Sequence, residues 1–210
     1  MIQALVHVVD DDQAVRDSLT MLLEAADLPA RAYPDAETFL AQLGTAPATV
    51  PAPGCVVADV RMPGLSGLDL LRLLQERGVG LPLIVITGHA DVAMAVQALK
   101  AGAADFIEKP FDDETFLNSV RDALDQGERS FRRRQRREQI ETRARTLTPR
   151  ENEVMARVVR GLPNKAVAAD LSISVRTVEI HRARVMEKMR ADSLSALVRM
   201  ALELEPSPRG

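Results

Sequence analysis

Up to about residue 124, short continuous apolar runs alternate with stripes of apolar residues spaced three and four apart; beyond it only the stripes remain. Residues 4–9, 55–58 and 83–86 are runs of strand length, closed by Asp10-Asp11-Asp12, by Asp59 with Pro63-Gly64 behind it, and by Thr87-Gly88. A run that is apolar throughout and stopped by turn residues predicts a strand buried on both faces, as in a parallel sheet. Arg31-Ala32-Tyr33 and Asp105-Phe106-Ile107 predict two shorter strands. Between the strands, residues 14–25 place Val15, Leu19, Leu22 and Leu23 on one helical face, and Pro34-Asp35 turns into a helix over 36–43. Residues 66–76 form another helix, and Asp91 caps one through Leu99 that Gly102 stops. A last helix begins near Asp112 and carries Phe116, Val120 and Leu124, while residues 45–54, rich in Pro and Ala, predict a loop. Five strands alternating with five helices predict an α/β domain with an open, doubly wound, five-stranded parallel sheet. Right-handed crossovers bring the carboxyl ends of its strands to one edge.

Past that point the pattern is helical. Leu117, Val120, Leu124, Gly127 and Phe131 keep a coiled-coil spacing, but five positions with a glycine among them do not establish a seam. Residues 129–145 are Arg-rich, contain neither Pro nor Gly, and predict a continued helix linking two domains, with a solvated flexible linker as the alternative. Thr148, Pro149 and Glu151 combine a capping box with a proline at the first helical position, a start for the stripe Val154, Met155, Val158 and Val159 that Gly161 ends. Asn164 caps residues 165–171, Ser172-Ile173 turns the chain, and Ser174 caps a longer helix to about Met189. A fourth helix runs from Ser193 to about Leu204 with Leu194, Leu197, Val198 and Leu202 on its apolar face. Four short helices with a tight turn between the second and third predict an all-α helix-turn-helix unit.

Composition narrows the function classes. With 46% apolar and 27% charged residues in 210, the chain is an ordinary globular one, long enough for two small domains. No apolar run approaches the roughly 20 residues that span a bilayer, and Met1-Ile2-Gln3 lacks a basic signal-peptide head, so a cytoplasmic protein with no membrane partner is expected. A single cysteine, Cys55, excludes an internal disulfide and reads as a small core residue. The net charge of -3 hides a division: residues 1–122 carry 8 Lys and Arg against 18 Asp and Glu, residues 123–210 carry 19 against 12. An acidic half and a basic half predict different partners, with nucleic acid the candidate for the basic one.

On the shared sheet edge fall Asp10, Asp11, Asp59, Thr87 and Lys109. Three carboxylates suit one hard divalent cation such as Mg2+, and a hydroxyl with an ammonium can hold two further oxygens of a phosphoryl group. Asp59, central among them, is the available nucleophile, and an aspartyl phosphate is a form of covalent catalysis. Alone before a loop, Asp59 would read as a turn cap. Its company points to phosphoryl chemistry.

Val8-Val9-Asp10-Asp11, Asp59-Val60-Arg61-Met62-Pro63, Val85-Ile86-Thr87-Gly88-His89 and Asp105-Phe106-Ile107-Glu108-Lys109-Pro110-Phe111, in that order at matching strand ends, resemble the receiver domains of two-component response regulators of the FixJ type. The resemblance covers residues 4 to about 124. It implies a flavodoxin-like sheet in which Asp59 accepts a phosphoryl group from a sensor histidine kinase. It further implies Mg2+ bound by Asp11, the Asp59 carboxylate and the main-chain carbonyl of Arg61, with Asp10 helping through water. Thr87 and Lys109 would hold the phosphoryl oxygens, and a cis Lys109-Pro110 peptide would aim the lysine. Asp12 receives no ligand role. Thr87 and Phe106 would form the switch, the ring turning inward as Thr87 moves; Arg61 and His89 resemble places that tune acyl-phosphate lifetime. Such a domain promotes its own modification, and the protein is read as not an enzyme.

Leu147-Thr148-Pro149-Arg150-Glu151, Pro163-Asn164-Lys165-Ala166-Val167-Ala168, Leu171-Ser172-Ile173-Ser174 and Arg176-Thr177-Val178-Glu179-Ile180-His181-Arg182 resemble the LuxR-type DNA-binding domain over residues 147 to about 204. Val167, Ala168, Leu171, Ile173, Val178 and Val185 are left to its core. Arg176, Glu179, Ile180, Arg182 and Ala183 lie on the outer face of the third helix, the side that would enter the major groove. Glu179 stands where related proteins often carry Lys; it can accept from cytosine N4 but repels phosphate. Lys165, Thr177, Arg184 and Lys188 are the candidates for phosphate contacts. The resulting organisation is a receiver over 1–124, an Arg-rich helical linker over 125–146 and a helix-turn-helix domain over 147–210. It implies double-stranded promoter DNA and RNA polymerase as partners, a homodimer formed on phosphorylation, and transcriptional activation. The unphosphorylated protein is expected to be monomeric, with its output domain held against the receiver. A phosphorylation-independent regulator and a Mg2+-dependent aspartyl-phosphate hydrolase are the alternatives.

Overall fold

In the computed structural model, which describes residues 4–43, 52–88 and 92–204, the apolar runs form strands. The predicted cap Asp91, the tuning position His89 and residues 45–51 of the predicted loop lie outside the described residues. In chain order the elements are β1 (Leu5–Val9), α1 (Gln13–Ala25), β2 (Ala30–Tyr33), α2 (Ala36–Leu43), β3 (Gly54–Asp59), α3 (Gly67–Glu76), β4 (Leu83–Thr87), α4 (Val92–Lys100), β5 (Asp105–Glu108) and α5 (Asp113–Ala144). The strands pair in parallel in the order β2-β1-β3-β4-β5. The central strand β3 is buried at every position, as its unbroken apolar run requires, whereas the edge strands β2 and β5 are partly exposed.

Alternation along the strands builds two apolar layers. Val9, Ala58 and Val85 face α2, α3 and α4, where Phe39, Leu70 and Ala98 meet them. Val8, Cys55, Ile84 and Ile86 face Leu23 of α1 and Phe116 of α5. The coiled-coil-like spacing in α5 has its cause here. Val120 is buried, Leu117 and Leu124 pack on the second layer, and a Cβ added at Gly127 would overlap the Gly54 carbonyl oxygen. That stripe rests on the sheet of its own chain.

Packing divides the chain into two units, 1–133 and 134–210, with the division inside α5. The second unit holds the end of α5, then α6 (Pro149–Val158), α7 (Asn164–Leu171), α8 (Val175–Met189) and α9 (Leu194–Leu204). Its core joins Ile140 of α5 to Val154, Val167, Val178, Val185 and Leu197. The capping box is present: Thr148 accepts from the Glu151 N–H and Glu151 accepts from the Thr148 N–H. One helix start differs from expectation. Asn164 is the first residue of α7 rather than its cap, and its Oδ1 accepts from Arg182 at 3.0 Å. Ser172 takes the left-handed conformation (φ 52°) in the turn, and Ser174 caps α8 by accepting from the Thr177 N–H. On α9 only part of the predicted apolar face is covered: Leu197 is buried, while Leu194 is 39% and Leu202 60% exposed. No helix among the described residues is long and apolar enough to cross a membrane.

Candidate functional site

Strand register builds the first site. Val9 pairs with Ala58, Asp59 with Ile86, and Thr87 with Glu108, so Asp10, Asp59, Thr87 and Lys109 end their strands within about one residue of a common level. Asp10, Asp59 and Thr87 are all buried. Lys109 Nζ donates to Asp10 Oδ2 at 2.9 Å and to Asp59 Oδ1 at 3.1 Å, bridging residues far apart in sequence. The remaining carboxylate oxygens accept from main chain: Asp10 Oδ1 from the Asp12 N–H (2.9 Å) and Asp59 Oδ2 from the Arg61 N–H (2.7 Å). The Lys109–Pro110 peptide is cis. Burial opposes the charge on Lys109, but the hydrogen bonds and charges of Asp10 and Asp59 outweigh it and hold the ammonium above its usual range.

Asp11 stands apart from this group: it is exposed, and Asp12 beside it caps α1 by accepting from the Ala14 N–H. Among the described residues no three His, Cys, Asp or Glu side chains converge as a metal cluster, so the expected cup of three carboxylates is reduced to Asp10 and Asp59. Those two still fit Mg2+. Their donors are all oxygen, and two buried carboxylates against one ammonium leave the pocket negative, which is the demand of a hard divalent cation. Phe106 is half-buried in the first apolar layer; its register partner Val85 and Thr87 share that face of β4, so switch ring and hydroxyl lie on one side of the sheet.

Two supports were not visible in the sequence. Arg16 Nη1, one turn into α1, donates to the Asp10 carbonyl at 2.7 Å. Glu37 of α2 accepts from the Leu65 N–H at 3.1 Å and so holds the loop that follows Asp59. Charged residues one turn into a helix after a strand end were the only available signal for Arg16.

The second site lies on α8. Arg176, Glu179, Ile180 and Ala183 are exposed at spacings of three and four, one stripe on the side away from buried Val178 and Val185. Arg184 and, on α7, Lys165 are exposed as well. Other expected contacts are not presented in this way. Arg182 is half-buried and bound to Asn164, and the Thr177 hydroxyl lies 2.7 Å from the Ser174 hydroxyl. Lys188, expected on phosphate, points its ammonium at Glu151 Oε2 (2.6 Å) and the Thr146 carbonyl (3.1 Å). A buried carboxylate three residues into α6 competes for it.

Comparison with known proteins covers both sites. Residues 6–121 match the response regulator receiver domain, and residues 145–201 match the bacterial regulatory proteins of the luxR family. The transcriptional regulatory protein FixJ of Azorhizobium caulinodans is 50% identical over 198 residues, covering 94% of this chain and 91% of that protein. Among solved structures, the response regulator StyR is 37% identical with a TM-score of 0.78, covering 96% of this chain and 99% of the other. Full-length FixJ from B. japonicum is 42% identical with a TM-score of 0.56, covering 97% and 98%.

Proposed function

The chain belongs to the two-component response regulators that join a receiver to a LuxR-family DNA-binding domain, and from that membership we propose that Asp59 is its phosphoacceptor and α8 its reader of promoter DNA. It is a transcriptional regulator, so its partners include a sensor kinase and DNA. The observation that carries the acceptor assignment is Lys109 Nζ bridging Asp10 and Asp59 at one sheet edge.

Transfer follows from these groups. An Asp59 carboxylate oxygen attacks phosphorus in line, the P–O bond forms as the P–N bond of a kinase phosphohistidine breaks, and the imidazole leaves with the electron pair. The transition state is loose and its charge sits on peripheral oxygens, so positioning and electrostatics supply the catalysis. Lys109 leaves Asp59 to meet a phosphoryl oxygen, and the Thr87 hydroxyl donates to another. The Arg61 N–H fixes the carboxylate through its second oxygen. Receiver domains use Mg2+, which here would be held by Asp10, Asp59, Asp11 and the Arg61 carbonyl, and when bound would neutralise charge on the transferring group.

Output follows as a change of pairing. Movement of Thr87 towards the phosphoryl group frees space for the Phe106 ring, and a few kcal/mol of differential contact shifts such an equilibrium across its midpoint. The phosphorylated chain dimerises, places two α8 helices in successive major grooves about one helical turn apart, and engages RNA polymerase as an activator. Lys165, Arg176 and Arg184 meet phosphate or bases; Glu179 and Ile180 face base edges. Incubation with acetyl phosphate and Mg2+ tests the acceptor: wild type is labelled at one site and Asp59→Asn is not. Undiminished labelling of Asp59→Asn would show that another residue accepts phosphorus, and rapid release of phosphate from simple phosphomonoesters would favour the hydrolase alternative.

A further inference from the structure

Lys188 sits in the last turn of α8, and its ammonium is already engaged. Besides the bonds to Glu151 Oε2 and the Thr146 carbonyl, the next residue's carbonyl, at Met189, accepts from Arg143 Nη1 at 3.3 Å. Glu151 is 1% exposed, and the same Oε2 accepts the Thr148 N–H at 2.8 Å where α6 begins. Residues 143–151, which carry α5 into α6, therefore grip the carboxyl-terminal turn of α8 from several directions. A buried carboxylate is stable when paired and costly when stranded, so an ammonium swung out to DNA would leave Glu151 uncompensated. Lys165, Arg176 and Arg184 are exposed instead.

We propose that Lys188 is a positioning residue: through Glu151 it fixes the tilt of α8 against the α5–α6 junction, and it does not contact phosphate. The inference rests on the reading of α8 as the helix that enters the major groove, and deepens it by naming what holds that helix in place. The junction is then part of the DNA-binding apparatus although no atom of it meets DNA.

Salt dependence separates the two roles. Each phosphate contact contributes about 0.9 to the slope of log affinity against log salt, whereas a positioning residue contributes affinity and no slope. The test uses the full-length protein and a duplex enriched by the wild type from a random pool, titrated over a series of KCl concentrations. The variants are Lys188→Met, Glu151→Gln, the two combined, and Lys165→Met. Glutamine at position 151 keeps the acceptor for the Thr148 N–H, so the start of α6 survives while the charge that engages Lys188 is lost. Lys188→Met and Glu151→Gln are each expected to weaken binding about tenfold with the wild-type slope, and the double variant no further than either alone. Lys165→Met is expected to lower the slope by about 0.9.

A slope lowered by about 0.9 in Lys188→Met with Glu151→Gln binding normally would overturn the proposal. Additive losses in the double variant, or unchanged affinity in both single variants, would overturn it too. Circular dichroism melts accompany each titration. If Lys188→Met unfolds, the double variant, which buries no lone charge, decides between the outcomes by its slope. A wild-type protein that enriched no sequence would instead remove the parent reading of α8, and this inference with it.

Discussion

Two buried carboxylates that share a partner titrate in opposite windows from the lysine that serves them, and this gives the residue scale its predictions. Lys109 is pushed down by burial and more strongly up by its bonds to Asp10 and Asp59, so its folded value lies above 10.5. A raised value means that its contribution is present in full below 10.5 and is lost as pH rises through the folded value. Urea melts are expected to show the wild type losing stability in that alkaline window more steeply than Lys109→Met. Glu151 runs the other way. The Lys188 hydrogen bond first, then the Thr148 N–H, hold its carboxyl below the ordinary 4.5. Its contribution is therefore complete above 4.5 and disappears as pH falls through the lower folded value, and Lys188→Met should flatten that acid limb. Asp10, Asp59, Thr87 and Lys109 were legible in the sequence because each closes an apolar run, and run ends map onto one sheet edge. The engagement of Lys188 was not, since Glu151 lies 37 residues away in a capping box that looks complete without it.

Among elements, α5 shows how far periodicity can be read. The stripe from Leu117 to Phe131 was visible, but nothing in it distinguished a partner helix from the chain's own sheet; Gly127 decides, because only backbone without a Cβ can lie against the Gly54 carbonyl. Gly127→Ala is expected to destabilise the first unit by roughly 1–3 kcal/mol, the cost of overpacking, measured by chemical denaturation. A smaller response under 0.5 kcal/mol would show that α5 shifts away without penalty. The helix-turn-helix turn offers the reverse case. Ser172 holds a left-handed backbone that costs a residue with a Cβ about 1 kcal/mol, so Ser172→Gly should raise the melting temperature of the second unit. Helix starts built on Thr148 and Ser174 were legible from capping chemistry; that of α7 was not, because Asn164 spends its side chain on Arg182.

For the whole molecule, the division of charge and the uncovered apolar stripes set the expectations. Val92, Val96 and Leu99 on α4 are exposed at spacings of four and three, as are Leu194 and Leu202 on α9, surfaces suited to pairing with a second chain. Sedimentation with beryllofluoride and Mg2+ is expected to show the mass doubling, and identical mass with and without the mimic would refute phosphorylation-driven dimerisation. The sheet, its order and the all-helical second half were readable from the change of period, whereas the division between units was not, since it falls inside a helix whose Arg-rich sequence carries no break. The lone thiol bears on how such pairing can be watched. Cys55 is fully enclosed by the sheet, and burial pushes it up to about 12, so it stays in the unreactive SH form at neutral pH. A cysteine introduced at an outward position such as Arg199 would take a maleimide dye alone, and fluorescence transfer between two labelled copies could follow assembly on a promoter without removing the native sulfur.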